Sequence, residues 1–122
     1  MTLDTNIVIA YLVGDAAVVK TLSQWKEEGR VIFLPAVAEA EILSFPGLSA
    51  EEKRRTEEFL ENLTFISFDR TVARRSAEIR RISRIKFPDA AIAATALVTY
   101  TPLITRNVRD FKKIPELTTI TI

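Results

Sequence analysis

Hydrophobic and polar residues follow one another in blocks that predict alternating strands and helices. Residues 31–34 form a continuous apolar run rich in β-forming residues, as in a strand buried on both faces of a parallel sheet. Shorter strands are predicted up to Leu3, at 64–66 and at 103–105. Residues 118–122 alternate threonine with isoleucine, which is typical of a half-exposed edge strand.

Helical segments separate these strands. Two early helices, over 7–12 and 17–26, stop at glycines, and Pro35 opens another that runs to about residue 43. A capping box formed by Ser49 and Glu52 predicts the start of a fourth helix, and Asp69 can cap a fifth over 70–85. A sixth helix is predicted to start at Pro88 and Asp89 and to continue through the alanine-rich residues 90–96, and a short seventh is predicted near Asp110. The order β, α, α, β, α, α, β, α, α, β, α, β predicts a three-layer α/β/α sandwich with a central, mostly parallel sheet.

The length and composition fit a single domain over residues 1–122. The chain has 122 residues, of which 48% are hydrophobic, enough for one core. Its longest nearly apolar stretch, residues 90–98, is well below the roughly 18 residues that cross a bilayer. The first residues are neither basic nor a continuous apolar signal core. We therefore expect a cytoplasmic protein without membrane association.

Composition excludes several kinds of chemistry. The chain has no cysteine and no histidine, which removes thiolate catalysis, Ser-His-Asp triads and ordinary zinc sites. Its three glycines cannot form a dinucleotide-binding or P-loop motif. Seventeen lysines and arginines against sixteen acids give a net charge of only +1, so binding to nucleic acid needs basic residues gathered on one face. Catalysis, if present, depends largely on carboxylates.

Four acids stand where the predicted fold gives them special positions. Asp4 directly follows the first strand, and Asp110 lies a few residues after the strand that ends at residue 105. Asp89 begins the alanine-rich helix, and Glu41 stands in an otherwise apolar segment. Buried carboxylates are costly unless a cation pairs with them. A cluster of carboxylate oxygens favours Mg²⁺ or Mn²⁺, held together with substrate phosphates.

Each acid also has a purely structural interpretation. Asp4 and Asp89 are suitable helix N-caps, Glu41 is suitable as an exposed helix residue, and Asp110 can cap a last short helix. No single acid decides between the two interpretations. Four acids together, at strand ends and helix starts, favour a metal site.

Four segments in fixed order make the sequence resemble the PIN-domain family and, within it, the small VapC-like toxins of toxin-antitoxin pairs. They are residues 3–6 (Leu-Asp-Thr-Asn), 41–43 (Glu-Ile-Leu), 88–96 (Pro-Asp-Ala-Ala-Ile-Ala-Ala-Thr-Ala) and 105–111 (Thr-Arg-Asn-Val-Arg-Asp-Phe). The first is a weak motif, whereas the last two in succession are specific. Only residues 1–3 precede Asp4, so the first strand is expected to be short.

The resemblance implies a Mg²⁺- or Mn²⁺-dependent ribonuclease that hydrolyses RNA phosphodiester bonds. It implies that Asp4, Glu41, Asp89 and Asp110 bind the metal and act in catalysis, with Thr5, Asn6, Thr105 and Asn107 as polar support. Glu39 and Glu41 point to different sides of a helix, and the Ile-Leu sequence after Glu41 favours Glu41. The resemblance also implies an antitoxin partner and a homodimer. Tyr11, Leu12 and Trp25 of the early helices offer apolar surface for such association.

A basic stripe is predicted on the helix over 70–85. Seven basic residues and one acid lie between Arg70 and Lys86, and most of the arginines fall within about 120° of the helix surface, opposite Val72, Ser76, Ile79 and Ile82. The stripe is either a solvated helix face or a track for RNA phosphates. Arg75 and Lys86 fall on the apolar side, where contact near the site is expected. The candidate RNA-binding residues are Arg74, Arg75, Arg81, Arg84 and Lys86.

Two alternatives remain beside a ribonuclease. A phospho-receiver-type domain would have a similar size and sheet and would use Asp4 in its acidic pocket. However, no adjacent acid pair follows the first strand, and Arg106 stands where a receiver would need lysine. A binding module with the PIN fold but no activity is the other alternative, although a silent copy would more often have lost one of the four acids.

Overall fold

The computed structural model describes residues 1–122 and contains five strands and seven helices in the predicted order. The strands are β1 (Thr2–Leu3), β2 (Phe33–Pro35), β3 (Thr64–Ile66), β4 (Leu103–Ile104) and β5 (Thr119–Ile120). The helices are α1 (Thr5–Leu12), α2 (Ala16–Glu27), α3 (Ala36–Leu43), α4 (Ala50–Glu61), α5 (Arg70–Ser83), α6 (Phe87–Val98) and α7 (Val108–Phe111). No single helix is long and apolar enough to cross a membrane, and α1 with α2, which reach that length together, are bent by 101°.

The sheet is entirely parallel, with the strand order β3-β2-β1-β4-β5. The chain moves outward from β1 to β3 and then returns to the other side of β1 for β4 and β5, so the topological switch point lies between β1 and β4. Because parallel crossovers are right-handed, the connections on the two sides of this point cover opposite faces of the sheet. The predicted α/β sandwich with a parallel sheet is confirmed.

Helix α6 forms the centre of the core. Its residues 90–96 are all buried, and the helix packs along α5 while also contacting α3, β1 and β2. Alanine adds no bulk beyond Cβ, so α6 lies close to its neighbours, and a larger side chain would overpack the core at a cost of about 1–3 kcal/mol. This close packing also fixes the start of α6, where Asp89 lies in the first turn.

Local capping signals are confirmed. The Ser49 hydroxyl accepts from the backbone N–H of Glu52 at 3.1 Å, and the Glu52 carboxylate accepts from the backbone N–H of Ser49 at 3.2 Å. Asp69 accepts from the backbone N–H of Val72 at 2.9 Å and begins α5 as predicted. These contacts satisfy N–H groups that have no partner within the helix.

The boundaries of β2 differ from the prediction. The strand begins at Phe33 instead of residue 31, and it includes Pro35, which was expected to open the following helix. Pro35 is extended, with φ −63° and ψ 139°, and it occupies the N-cap position of α3. A proline fits there because neither the strand end nor the N-cap needs its missing N–H.

The end of α5 also differs. The helix stops at Ser83 because Arg84 adopts the left-handed conformation, with φ 56°. Val72, Ser76 and Ile79 are buried as the helical pattern predicts, but Ile82 in the last turn is 80% exposed. Ile82 was predicted to lie opposite the arginines together with these three residues, but it does not share their burial.

Candidate active site

Asp4 lies at the switch point, directly after β1. It occupies the N-cap position of α1, but its side chain makes no capping hydrogen bond. Instead, its Oδ2 accepts a hydrogen bond of 2.7 Å from the hydroxyl of Thr105, the residue that follows β4. Asp4 is only 4% exposed and Thr105 is fully buried. The carboxylate therefore bridges the carboxyl ends of two neighbouring strands.

A short chain of hydrogen bonds continues from Thr105 to Asp110. The Thr105 hydroxyl accepts from the backbone N–H of Asn107 at 2.9 Å, so its own proton is directed to Asp4. The side-chain amide of Asn107 donates to Oδ2 of Asp110 at 3.0 Å. Asp4 and Asp110 are thus connected through two polar side chains, which are the predicted supporting residues Thr105 and Asn107.

Glu41 belongs to α3 and is tied to α1. The hydroxyl of Thr5 donates to Oε1 of Glu41 at 2.7 Å. Thr5 is itself the residue after Asp4, so this contact places Glu41 on the same side of the sheet edge as Asp4. The contact supports the choice of Glu41 over Glu39. Asn6, the fourth supporting residue of the prediction, is exposed.

Asp89, in the first turn of α6, is close enough to the other three acids for their charges to affect its pKa. Burial raises the pKa of Asp89, and the negative charges of Asp4, Glu41 and Asp110 raise it further, against a smaller opposing effect of Lys86. Burial also raises the pKa of Asp4, with Glu41 adding to the increase and the Thr105 hydrogen bond opposing it. The four predicted acids therefore share one region of negative potential.

The donor set suits a divalent cation, although it is not a closed cage. None of the four acids forms an ion pair with lysine or arginine, so their charge is not neutralised within the chain. No three carboxylates are arranged tightly enough to enclose an ion by themselves. Mg²⁺ keeps several waters and commonly uses one or two carboxylates together with substrate phosphates, which matches an open set of oxygen donors. The assignment of all four as metal ligands stays a prediction.

The candidate RNA-binding residues divide into two groups. Arg74, Arg81, Arg84 and Lys86 are exposed and form no ion pair. Arg84 and Lys86 belong to the turn between α5 and α6, next to the helix end that carries Asp89.

Arg75 has a different role. It pairs with Glu78 and Glu116 beside Val98 and Tyr100, at the opposite end of α6 from Asp89. Both carboxylates compete with a phosphate for its guanidinium. The expectation that Arg75 contacts substrate near the site therefore finds no support in its position.

An apolar groove borders Glu41, and sequence reasoning identified only a small part of it. The groove has a volume of about 550 Å³, and its apolar lining consists of Ile9, Leu12, Val13, Ile42, Phe45 and Leu48. Among the predicted association residues, Leu12 belongs to this lining, but Tyr11 stacks on Phe59 at 4.3 Å and Trp25 is half-buried against the core. The sequence feature that could have indicated the groove was Phe45, an aromatic residue in the turn after α3.

Fold and site together define a parallel α/β domain with an acidic site at its switch point. The strand order differs from the 2-1-3-4-5 order of receiver domains, which removes the phospho-receiver alternative. The sequence matches the PIN domain over residues 1–117, and the chain belongs to that family.

Individual relatives agree with this assignment. Ribonuclease VapC19 of Mycobacterium tuberculosis is 29% identical over 120 residues, which cover 94% of each chain. A toxin-antitoxin complex from Klebsiella pneumoniae contains a chain that is 30% identical, with a TM-score of 0.83 over 99% of this chain and 98% of that one. VapBC2 from Rickettsia felis, bound to a DNA fragment from its promoter, has a TM-score of 0.85 over 99% and 97% of the two chains, and at 22% identity it bears on the fold alone.

The Thr105 hydroxyl should hold down the pKa of Asp4. Thr105→Val removes the donor, so the pKa of Asp4 should rise above its already raised value, because the carboxylate loses a bond that favours its charged form. The change is measured by a carbon-detected NMR titration of the carboxyl groups. Thr5→Val is the matched control, since its hydroxyl donates to Glu41, and it should leave the Asp4 titration much less affected. An equal shift in both variants would contradict the prediction.

Proposed function

We propose that this protein is a Mg²⁺- or Mn²⁺-dependent endoribonuclease and the toxin of a toxin-antitoxin pair. The observation that carries the proposal is the set of four carboxylates near the switch point, none of which forms an ion pair with lysine or arginine. Burial raises the pKa of Asp89, and the charges of the other three raise it further. A relative named as a ribonuclease and a structural neighbour named as a toxin-antitoxin complex support the reaction and the partner class. RNA as substrate is consistent with a cytoplasmic protein.

In this proposal, the chain's own groups hold the metal and the substrate in place. Asp4, Glu41, Asp89 and Asp110 are the metal ligands and catalytic residues, and Asn6 lies exposed beside Thr5 to contact substrate. The hydroxyls of Thr5 and Thr105 and the amide of Asn107 orient three of the four carboxylates through the hydrogen bonds already described. A bound divalent cation supplies Lewis-acid chemistry, because it lowers the pKa of a water molecule and offsets charge on the phosphate.

The exposed basic residues beside α6 are the proposed path for RNA. Arg81, Arg84 and Lys86 lie on the last turn of α5 and the turn that leads to Asp89, with Arg74 further along the same helix. These basic side chains attract the phosphates of RNA and so increase its affinity for the protein. They also offset the repulsion between the RNA backbone and the four acids. We leave Arg75 out of this path because its two glutamate partners occupy it.

The groove beside Glu41 is the proposed contact surface for the antitoxin. Its apolar lining suits the apolar face of a partner helix, and Glu52 and Arg55 add charged groups. Because Glu41 lies in the same groove, a segment bound there covers part of the acidic site. Inhibition by the partner then follows from occupancy of the groove.

The ribonuclease proposal predicts linked effects on activity and stability. Asp89→Asn and Asp4→Asn should abolish RNA cleavage because the amide has no charge to hold Mg²⁺, and EDTA should abolish it in the wild type. Asp4 and Asp89 have raised pKa values in the folded protein, so the folded state binds their protons more tightly than the unfolded state does. The metal-free protein therefore loses stability as the pH rises from the ordinary pKa of 3.8 through these raised values, and it shows no such loss at lower pH. Asp89→Asn should therefore unfold at a higher temperature than the wild type at pH 7 without metal. The wild type should gain about 2.7 kcal/mol at 100 times the Mg²⁺ dissociation constant, and the variant should gain little.

The experiment combines cleavage of structured RNAs in Mg²⁺, Mn²⁺ or EDTA with thermal unfolding. Glu41→Gln against Glu39→Gln is the matched pair, because the two glutamates are on the same helix and only Glu41 contacts Thr5. Loss of cleavage is expected in the first variant and retention in the second. Full activity in EDTA would contradict the metal mechanism, and the absence of any cleavage by the wild type would favour the inactive binding module.

The RNA path predicts a change in the salt dependence of binding. Replacement of Arg74, Arg81 and Arg84 by glutamine in an Asp4→Asn background should weaken binding to all RNA sequences alike. Each lost phosphate contact should reduce the slope of log affinity against log salt by roughly 0.7 to 0.9. The control replaces Lys53, Arg54 and Arg55 of α4, which removes the same charge from another helix. An equal loss in both triple variants would mean that only net charge matters.

We also propose that the protein is a homodimer through apolar surface of its early helices. Leu12 is 37% exposed and Val13 is 78% exposed, so this region, which also lines the groove proposed for the antitoxin, offers unburied apolar area. Light scattering should give twice the 13.7 kDa mass of one chain. A mass of one chain at high concentration would count against the dimer.

A further inference from the structure

One guanidinium joins three distant parts of the chain. Nη1 of Arg106 donates to Oδ2 of Asp15 at 2.8 Å, and Nη2 donates to Oδ1 at 3.0 Å. Nε of the same arginine donates to the backbone oxygen of Ile122 at 2.9 Å. The two parallel bonds to Asp15 form a bidentate pair, which restricts orientation as well as distance.

Asp15 is itself held firmly at the junction of α1 and α2. Its carboxylate is the N-cap of α2 and accepts from the backbone N–H of Val18 at 3.2 Å, while its own backbone N–H donates to the oxygen of Ala10 at 2.9 Å. The bonds from Arg106, followed by that from Val18, lower the pKa of Asp15 to about 2. Arg106 is therefore attached to a fixed point of the fold at neutral pH.

Arg106 stands between the two residues that orient the acidic site. Thr105 on one side donates to Asp4, and Asn107 on the other side donates to Asp110. Helix α7, which carries Asp110, has only four residues and no side-chain cap. Buried Phe111 anchors its far end, so the near end depends on the segment 105–107.

We infer that Arg106 and Asp15 are a positioning pair that sets the geometry of the divalent-ion site by holding residues 105–107 in place. The inference rests on the proposed function, since it concerns the same site. Neither Arg106 nor Asp15 is a proposed metal ligand, and the pair acts only through the hydrogen bonds that Thr105 and Asn107 make to the acids. Partly exposed ion pairs contribute little to global stability, so the main effect is expected in the site.

The signs of two single substitutions separate positioning from simple electrostatics. Arg106→Gln removes a positive charge, and Asp15→Asn removes a negative one. If only charge mattered, divalent-ion affinity would rise in the first variant and fall in the second. Positioning requires affinity to fall in both. We expect a loss of about tenfold in each, which is the lower end of the effect of groups that orient metal ligands.

The experiment measures Mn²⁺ binding to the whole protein by calorimetry, together with hydrogen exchange of the backbone N–H of Asn107 in metal-free protein. That amide donates to the Thr105 hydroxyl, so its protection reports the segment directly and without metal or activity. Both single variants should lose this protection, and the double variant should bind Mn²⁺ no more weakly than the weaker single one. Arg109→Gln is the control, because it removes the same charge from an exposed, unpaired arginine three residues away.

Opposite changes in affinity for Arg106→Gln and Asp15→Asn would overturn the inference, as would unchanged Asn107 protection in either. A tenfold loss in Arg109→Gln would likewise overturn it, because an arginine outside the pair would then have the same effect on the site. If the wild type bound neither Mn²⁺ nor Mg²⁺, the proposed metal-dependent function would fail by itself. The exchange measurement would then still decide whether the pair holds the segment.

Discussion

The hydrogen bond from Thr105 to Asp4 is the contact on which the site depends. It joins the ends of β1 and β4, two strands of only two residues each, at the point where the strand order reverses. A nearly buried carboxylate is costly there, and its raised pKa is a measure of that cost. The protein accepts lower stability at this point, and the same carboxylate becomes available to a cation.

Helix α6 contributes both to the packing of the core and to the acidic site. The alanines within residues 90–96 let the helix lie against the sheet, and this places its first turn at the carboxyl edge. Asp89 thereby comes within electrostatic range of three other acids without touching a basic partner. A bulkier helix would move Asp89 away from the sheet as well as disturb the core.

Two surfaces of different character border the acidic site. On one side, the turn between α5 and α6 exposes Arg84 and Lys86, which suit a phosphate backbone. On the other side, Glu41 opens onto an apolar groove, which suits a protein partner. In the proposed function, substrate and antitoxin approach the same carboxylates from these two directions. Binding of one then opposes binding of the other.

Features that depend on neighbours along the chain could be predicted from the amino-acid pattern alone. Strand and helix order, the capping box at Ser49, the cap at Asp69 and the burial of residues 90–96 were all predicted from local pattern. The four acids were also found from sequence, because Asp4 directly follows a strand and the remaining segments resemble a known family. Their exact ligand geometry stays a prediction.

Contacts between distant segments, in contrast, could be identified only in the folded chain. Arg75 pairs with Glu116, 41 residues away, and Arg106 pairs with Asp15, 91 residues away, although periodicity assigned neither partner. Glu41 was already preferred over Glu39 from the sequence, but its hydrogen bond with Thr5, on another helix, was not predicted. Periodicity reports which face of an element is apolar, whereas these contacts depend on how right-handed crossovers place the elements around β1. The partners that these side chains find in distant segments are therefore set by the strand order, which the local pattern does not contain.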